Sequence, residues 1–426
     1  MIHQSKASFL SDRMIRIALS TLASILIQFT AACASPAGGD WSQWRGPTRN
    51  GVSGSGPALA NAWPDSGPRM LWQSQPLARN VKEGSSGGYS SIVVAAGRVY
   101  IFLNRKIDAE PKDESPPHVT ATDVVVCFDA LSGAELWKVE YPGQPRHWGT
   151  SSTPCIADGH CFVVGSLGHV YCLNARDGTK VWKVKPGGDE VSSSIEVADG
   201  KVVVMCRPLT ALDPANGNIL WQQPQVSGND NSSCVWRHQD KTYFICNDEQ
   251  KKKTICVNAA DGSVLWTTQG GGKSTAVVAE DTMVVNTPNA MSAYRLASDG
   301  PQLLWVNKQL KDRSESPVIY NGHVYHIGGH GQVVCIESTT GEIAWQGEIG
   351  DTEIASPIIV DDKIIAVLEY GNKLAMFTAA PQKYELLAKA DLTLLAAASP
   401  AVADGKLYLR TKHAVACYDL VQPQGE

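Results

Sequence analysis

Eleven cysteines, ten histidines and 42 acidic residues give this chain of 426 residues ample material for chemistry, so spacing decides what it can do. No two cysteines are adjacent and no Cys-x-x-Cys-His occurs, which removes a vicinal disulfide and covalent haem attachment. His-Glu-x-x-His is absent and the histidines are scattered, so no zinc-hydrolase site is spelled out. The run from Gly51 to Gly56 sets serines among glycines but has neither the strand nor the helix of a nucleophile elbow. Gly270-Gly271-Gly272-Lys273-Ser274 has the look of a phosphate loop, yet it lacks the earlier glycine of that pattern and precedes a strand-forming run. Recognition chemistry remains. Its candidate groups are His147, Trp148, Asp189, Glu190, Asn229, Asp230, Arg313, Glu315, His330 and Glu353, a mixture of aromatic, basic, acidic and amide side chains.

A repeat is what could bring such scattered residues together. From Ser151 to Lys183 short apolar runs alternate with turn signals at Ala157-Asp158-Gly159, Ser166-Leu167-Gly168 and Arg176-Asp177-Gly178, which predicts short antiparallel strands. The unit recurs with a period of about forty residues. Its tryptophan falls at Trp72, Trp137, Trp182, Trp221, Trp266, Trp305 and Trp345, with Leu386 or Leu387 in the eighth copy. Its Ser-rich start falls at Ser90, Ser151, Ser192, Ser232, Ser274, Ser316, Ser356 and Ser399. Trp72 precedes the first start and nothing follows the last, so the two chain ends complete one another. The expectation is an all-β, eight-bladed propeller of four-stranded antiparallel blades over residues 71–422, with 71–77 pairing near Ala414 to Tyr418.

In that fold the outer-to-inner connections and the loop between second and third strands share one face. This face would gather the ten candidates around the channel mouth, beside a polar insertion from Asn104 to Asp123, and the Asp-Gly turns would lie opposite. Its loops differ from blade to blade, which makes it the expected binding face.

The pattern Cys172-Leu173-Asn174-Ala175-Arg176-Asp177-Gly178-Thr179-Lys180-Val181-Trp182, repeated around Trp137, Trp221 and Trp266, resembles the tryptophan-docking repeat of pyrroloquinoline-quinone-type propellers. The resemblance covers most of residues 70–420 and implies that each tryptophan packs on the neighbouring blade. It also implies a choice of roles, since that family holds quinoprotein dehydrogenases, BamB-type scaffolds of outer-membrane barrel assembly, and other exported propellers. The dehydrogenases hold their quinone with adjacent cysteines and a calcium ion. This chain has no adjacent cysteines, so no cofactor is expected, with pyrroloquinoline quinone and calcium as the alternative. The Trp41-Ser42-Gln43-Trp44-Arg45-Gly46-Pro47 lead-in is similar to that of a subfamily without an assigned activity.

Residues 1–34 read as a secretory signal: Arg13 and Arg16 precede an apolar stretch from Ile17 to Phe29 and the small residues Ala32-Cys33-Ala34. Cleavage after Ala34 and lipid attachment at Cys33 are both open. The apolar stretch is too short to span a bilayer and no later run qualifies. Removing Lys6, Asp12, Arg13 and Arg16 takes the net charge from −5 to −7, which argues against nucleic acid as a partner. Residues 35–70 form an irregular Gly- and Pro-rich lead-in whose Trp41, Trp44 and Trp63 should pack on a neighbouring surface. Cys127, Cys172, Cys256, Cys335 and Cys417 share one place in the repeat with Ala211 and Ala293, a place for a small buried residue. Hairpin register sets Cys155 opposite Phe162 and separates Cys234 from Cys246, so free buried thiols are expected rather than disulfides. The functional expectation is a monomeric, exported, non-catalytic propeller of the periplasm or envelope that binds a protein or polysaccharide. A quinoprotein dehydrogenase and a carbohydrate-binding propeller are the alternatives.

Overall fold

The computed structural model describes residues 39–54, 56–77, 87–106, 121–144, 151–189, 191–310, 315–328, 331–350 and 355–421. Thirty-two strands build eight antiparallel sheets of four. Inner strands are Val93–Ala95, Cys155–Ala157, Glu196–Ala198, Cys234–His238, Val277–Ala279, Val318–Tyr320, Ile358–Val360 and Ala401–Ala403, for blades 1 to 8 in turn. Inner strands of blades 1 and 2, 2 and 3, 4 and 5, 5 and 6, and 6 and 7 lie side by side, and that of blade 1 lies beside that of blade 8. Blade 8 takes its outer strand, Met70–Gln73, from the start of the domain, with Trp72 opposite Cys417 and Gln73 opposite Ala416. The expected closure therefore holds.

Seven tryptophans join the blades. Each sits across its ladder from the small residue of the repeat, as Cys127 faces Trp137, Cys172 faces Trp182 and Ala211 faces Trp221. The indoles of Trp72, Trp137, Trp182, Trp221 and Trp305 each cover a turn glycine of the next blade. A Cβ on Gly178, Gly217, Gly262 or Gly341 would meet the ring at 2.6–2.7 Å, which a side chain cannot do. Indole N–H groups of Trp72, Trp137, Trp182, Trp221, Trp305 and Trp345 donate to a carbonyl in that turn at 2.7–3.2 Å. Blade 7 differs from expectation. Its docking position is Ala388, opposite Met376, while Leu386 lies one bulge earlier and is exposed. The reason is the closure: blade 8, on which that side chain would dock, draws its last two strands from opposite chain ends and has no turn to cover.

A second ring explains the Ser-rich starts. The backbone N–H of Ser91 donates to the hydroxyl of Thr153, and Thr153 donates likewise to Ser194, at 3.0 Å each. Ser194 donates to Ser232, Ser232 to Thr275 and Thr275 to Ser316, at 2.8–3.1 Å. Ser316 to Ser356, Ser356 to Ser399 and Ser399 back to Ser91 close the circle at 3.0 Å. Entering the channel, these N–H groups have lost their ladder partners and need an acceptor. A short hydroxyl on the next blade supplies it.

The lead-in fills the channel and is not merely packed on a surface. Trp41 exchanges both backbone hydrogen bonds with Val94 of blade 1, at 2.7 and 2.9 Å, and Ser42 O accepts from Ile156 N of blade 2 at 2.8 Å. Val52 bridges in parallel to Ile359 of blade 7. Leu59 and Ala60 then reach Asp361 Oδ2 and Leu420 O, crossing the seam between blades 7 and 8. Between these points Arg49 donates to Ile195 O of blade 3 and Arg45 to Pro317 O of blade 6, both side chains fully buried.

A candidate binding face

The two faces are built differently. Asp158-Gly159, Asp199-Gly200 and Asp404-Gly405 turn with φ of 47° to 52° at Asp and 65° to 75° at Gly, the tight hairpin geometry that leaves little to project. The opposite face carries longer connections. His147, Trp148, Glu190, Arg313, His330, Glu353 and residues 107–120 of the insertion lie outside the described residues. Asn104 and Asp123, expected as ends of a surface loop, are instead buried ladder partners joined by a 2.8 Å side-chain hydrogen bond.

Three of the remaining candidates sort by exposure. Asp230 is exposed on this face, but Asn229 and Glu315 are buried and present no side chain to a partner. Asn229 is a positioning residue. Its Oδ1 accepts from Arg207 Nη2 at 2.6 Å, and its backbone N–H donates to Glu249 Oε1 at 3.1 Å. Asn231 Nδ2 donates to Glu249 Oε2 and to Gly272 O, tying the blade 3–4 connection to the blade 4–5 connection. Asp189, exposed, pairs with Lys185 at 2.5 Å.

Between blades 4 and 5 these connections frame a cleft of about 740 Å³, lined among others by Asp230, Glu249, Lys252, Gly271, Lys273 and Asn289. The glycine run is its wall. Gly271, at φ +87°, runs so close to the neighbouring turn that a Cβ would come within 2.6–2.8 Å of Lys253 and Asp248 backbone atoms. That turn is held by buried Asp248, which accepts from Ser227 N–H and Oγ on one oxygen and from Gln250 and Lys251 N–H on the other. Lys273 lies 3.7 Å from Asp230. The result is a polar wall of mixed sign, suited to recognition.

The same seam departs from the repeat on its other side. Trp266 Nε1 has no acceptor among the described residues, because the blade 5 turn is longer there and Gly300 has nothing within 4 Å of its Cβ position. Trp236, off the repeat position, takes over: it is fully buried, stacks on His238 at 4.8 Å and donates to Asp281 Oδ1 of blade 5 at 2.9 Å.

Sequence reasoning missed Tyr370. It stands 57% exposed in the second-to-third-strand turn of blade 7, where Glu369 and Tyr370 both adopt positive φ, 51° and 55°. Two successive non-glycine residues there mean a strained turn, held by Gly371 against Leu394 and by Glu369 Oε1 accepting from Lys389 Nζ at 2.8 Å. An aromatic in a polar turn was the available signal.

A flat quinone on the axis does not fit the channel, which Trp41, Arg45 and Arg49 occupy. Among the described residues no three His, Cys, Asp or Glu side chains converge as a metal centre needs. Nor is any described helix long and apolar enough to cross a membrane.

Residues 64–244 and 239–422 match the family described as outer membrane protein assembly factor BamB. The chain belongs to this family. It is 24% identical to BamB of Escherichia coli across 53% of this chain and 62% of that one. It is also 25% identical to tetrathionate hydrolase of Acidithiobacillus ferrooxidans, across 68% of this chain and 63% of that one. It thus spans less than two thirds of the length of these curated relatives. BamB from Moraxella catarrhalis superposes with a TM-score of 0.59 at 14% identity, covering 83% of this chain and 99% of that one. Quinohemoprotein alcohol dehydrogenase from Comamonas testosteroni superposes at 0.67 and 12% identity, covering 92% and 83%. At these identities the structural likeness is one of fold. BamB-type and quinoprotein propellers share it, and it does not separate their roles.

Proposed function

We propose that this BamB-family propeller is a non-catalytic binding protein of the cell envelope whose partner is a protein of outer-membrane assembly, docked on the loop-bearing face. The observation that carries this reading is the filled channel: with Arg45 and Arg49 seated on inner-strand carbonyls, recognition is left to the rims. Of the two rims, the loop-bearing one offers the cleft of blades 4 and 5 and the exposed Tyr370. Aromatic anchors beside polar, mixed-charge surface are what protein interfaces use. Envelope placement rests on the leader-like residues 1–34 and on the named role of the BamB relatives. No cofactor is part of this proposal.

Photo-crosslinking residues placed at Lys252 and Tyr370 should trap an outer-membrane assembly protein in envelope membranes, and those placed at Asp158 and Asp199 should not. Crosslinks from the Asp-Gly face alone would overturn the choice of face. Dye reduction by alcohols or sugars after addition of pyrroloquinoline quinone and calcium would establish the dehydrogenase reading in its place.

A further inference from the structure

The turn between the second and third strands of blade 4 ends on a residue that its backbone does not favour. In the corresponding turns of blades 2 and 6 the last residue before the ladder resumes is a glycine, Gly168 at φ +74° and Gly331 at φ +79°. Blade 4 has Lys252 there, just before Lys253 pairs with Asp248, and holds it at φ +53°. Glycine adopts this left-handed conformation freely, a lysine only against steric resistance. A side chain kept at such a place is a reason to look for its use. Lys252 lines the cleft of about 740 Å³ between blades 4 and 5, so there is room beside it for a ligand.

The rest of the lining says what that ligand is. Its two carboxylates among the described residues are taken: Glu249 accepts from Asn229 N–H on one oxygen and from Asn231 Nδ2 on the other, both at 3.1 Å, and Asp230 lies 3.7 Å from Lys273. Lys252 is exposed and its side chain makes no hydrogen bond or ion pair among the described residues. The open charge is therefore a cation, which calls for an anionic group. Gly270 to Gly272 line the same cleft without side chains, so a ligand meets main chain there. Gln269 and Asn289, both exposed, add amides that donate and accept as a peptide bond does. No aromatic ring lines the cleft among the described residues, which leaves a sugar no face to stack on.

We propose that this cleft binds an extended, acidic polypeptide segment, with a carboxylate on Lys252 and the segment's main chain against Gly270 to Gly272, Gln269 and Asn289. The proposal rests on the reading of this propeller as a protein-binding one and adds the chemistry of the segment it takes.

The test is fluorescence anisotropy of the full-length protein with a short dye-labelled peptide of glutamate, serine and glycine, beside its counterpart with lysine for glutamate. Saturable binding of the acidic peptide alone is expected, about tenfold weaker in Lys252→Glu because repulsion replaces attraction. Lys252→Gly should melt as the wild type does, since glycine suits that backbone, and should still lose affinity. Lys180→Glu, an exposed position on the outer strand of blade 2, should bind as the wild type does. Absence of saturable binding overturns the proposal, as does equal binding of the lysine peptide or unchanged affinity in Lys252→Gly. Preference for an oligogalacturonate over the peptide overturns it in favour of an acidic glycan. The two readings fail separately: a crosslink from Lys252 to an assembly protein without peptide binding sinks only this proposal, and peptide binding without that crosslink upholds it and sinks the choice of partner.

Discussion

At the scale of single residues, the docking tryptophan does two separable things: it buries its ring between blades, and its indole N–H satisfies a carbonyl of the next blade. Trp182 does both and Trp266 only the first. Removing the whole ring from Trp182 or Trp345 should cost about 3–5 kcal/mol, the usual range for a buried tryptophan. Trp236→Ala should cost as much, contrary to what its place off the repeat implies, because it is fully buried and bonded to Asp281. Phenylalanine separates the two contributions. Trp182→Phe should be destabilised by about 1 kcal/mol more than Trp266→Phe, since only the former leaves a carbonyl without its donor. Urea midpoints of these five variants check this, and equal losses for the two phenylalanine variants would refute it.

At the scale of strands, the seam between blades 5 and 6 carries buried polar side chains of its own. Val284 and Val324 belong to one apolar layer there, and Asn286 and His326 stand two residues further along the same strands, on the same sides. Both side chains are buried, and neither has a hydrogen-bond partner among the described residues. Burial holds the His326 imidazole down from 6.5 to about 4, so it stays neutral in the folded protein where the unfolded chain would protonate. The sign follows: above pH 6.5 neither state binds the proton and nothing is lost. Between 6.5 and 4 the unfolded state gains it and stability falls, by roughly 3 kcal/mol in all. His326→Leu should remove that part of the pH dependence, as denaturant midpoints at pH 7, 5.5 and 4.5 would show. An unchanged slope would mean that the seam opens to water.

For the whole molecule, what was legible followed from repetition. Eight copies of the Trp and Ser marks predict eight blades, and the displaced end copies predict closure through Met70–Gln73, because a periodic fold writes each contact several times. Features that occur once were not legible. The hydroxyl circle escaped because Thr153 and Thr275 stand beside serines that marked the period without belonging to it, and the exchange of Trp for Ala388 escaped because its cause is a turn missing from another blade. The loop-bearing face could be located, but Asn229 and Glu315 could not be told from exposed neighbours, since loop polarity does not say which amide or carboxylate faces inward. Least legible was the plug, where Arg45 and Arg49 look like surface cations until the channel closes around them. Its importance to the ring can be read through thiols. The ten cysteines from Cys127 to Cys417 are all free and buried, but only Cys155 and Cys234 adjoin Arg49 and Glu196 on the axis. Arg49→Met leaves Glu196 buried without its partner, a loss of about 3–5 kcal/mol that should fall on the plug first. In native buffer the wild type should therefore resist alkylation at all ten. The variant should label at Cys155 and Cys234 well before Cys127 or Cys335, which lie under the docking tryptophans Trp137 and Trp345. Mass-spectrometric mapping of the labelled peptides checks the order. Uniform labelling of all ten would mean that the plug and the blades come apart as one cooperative unit.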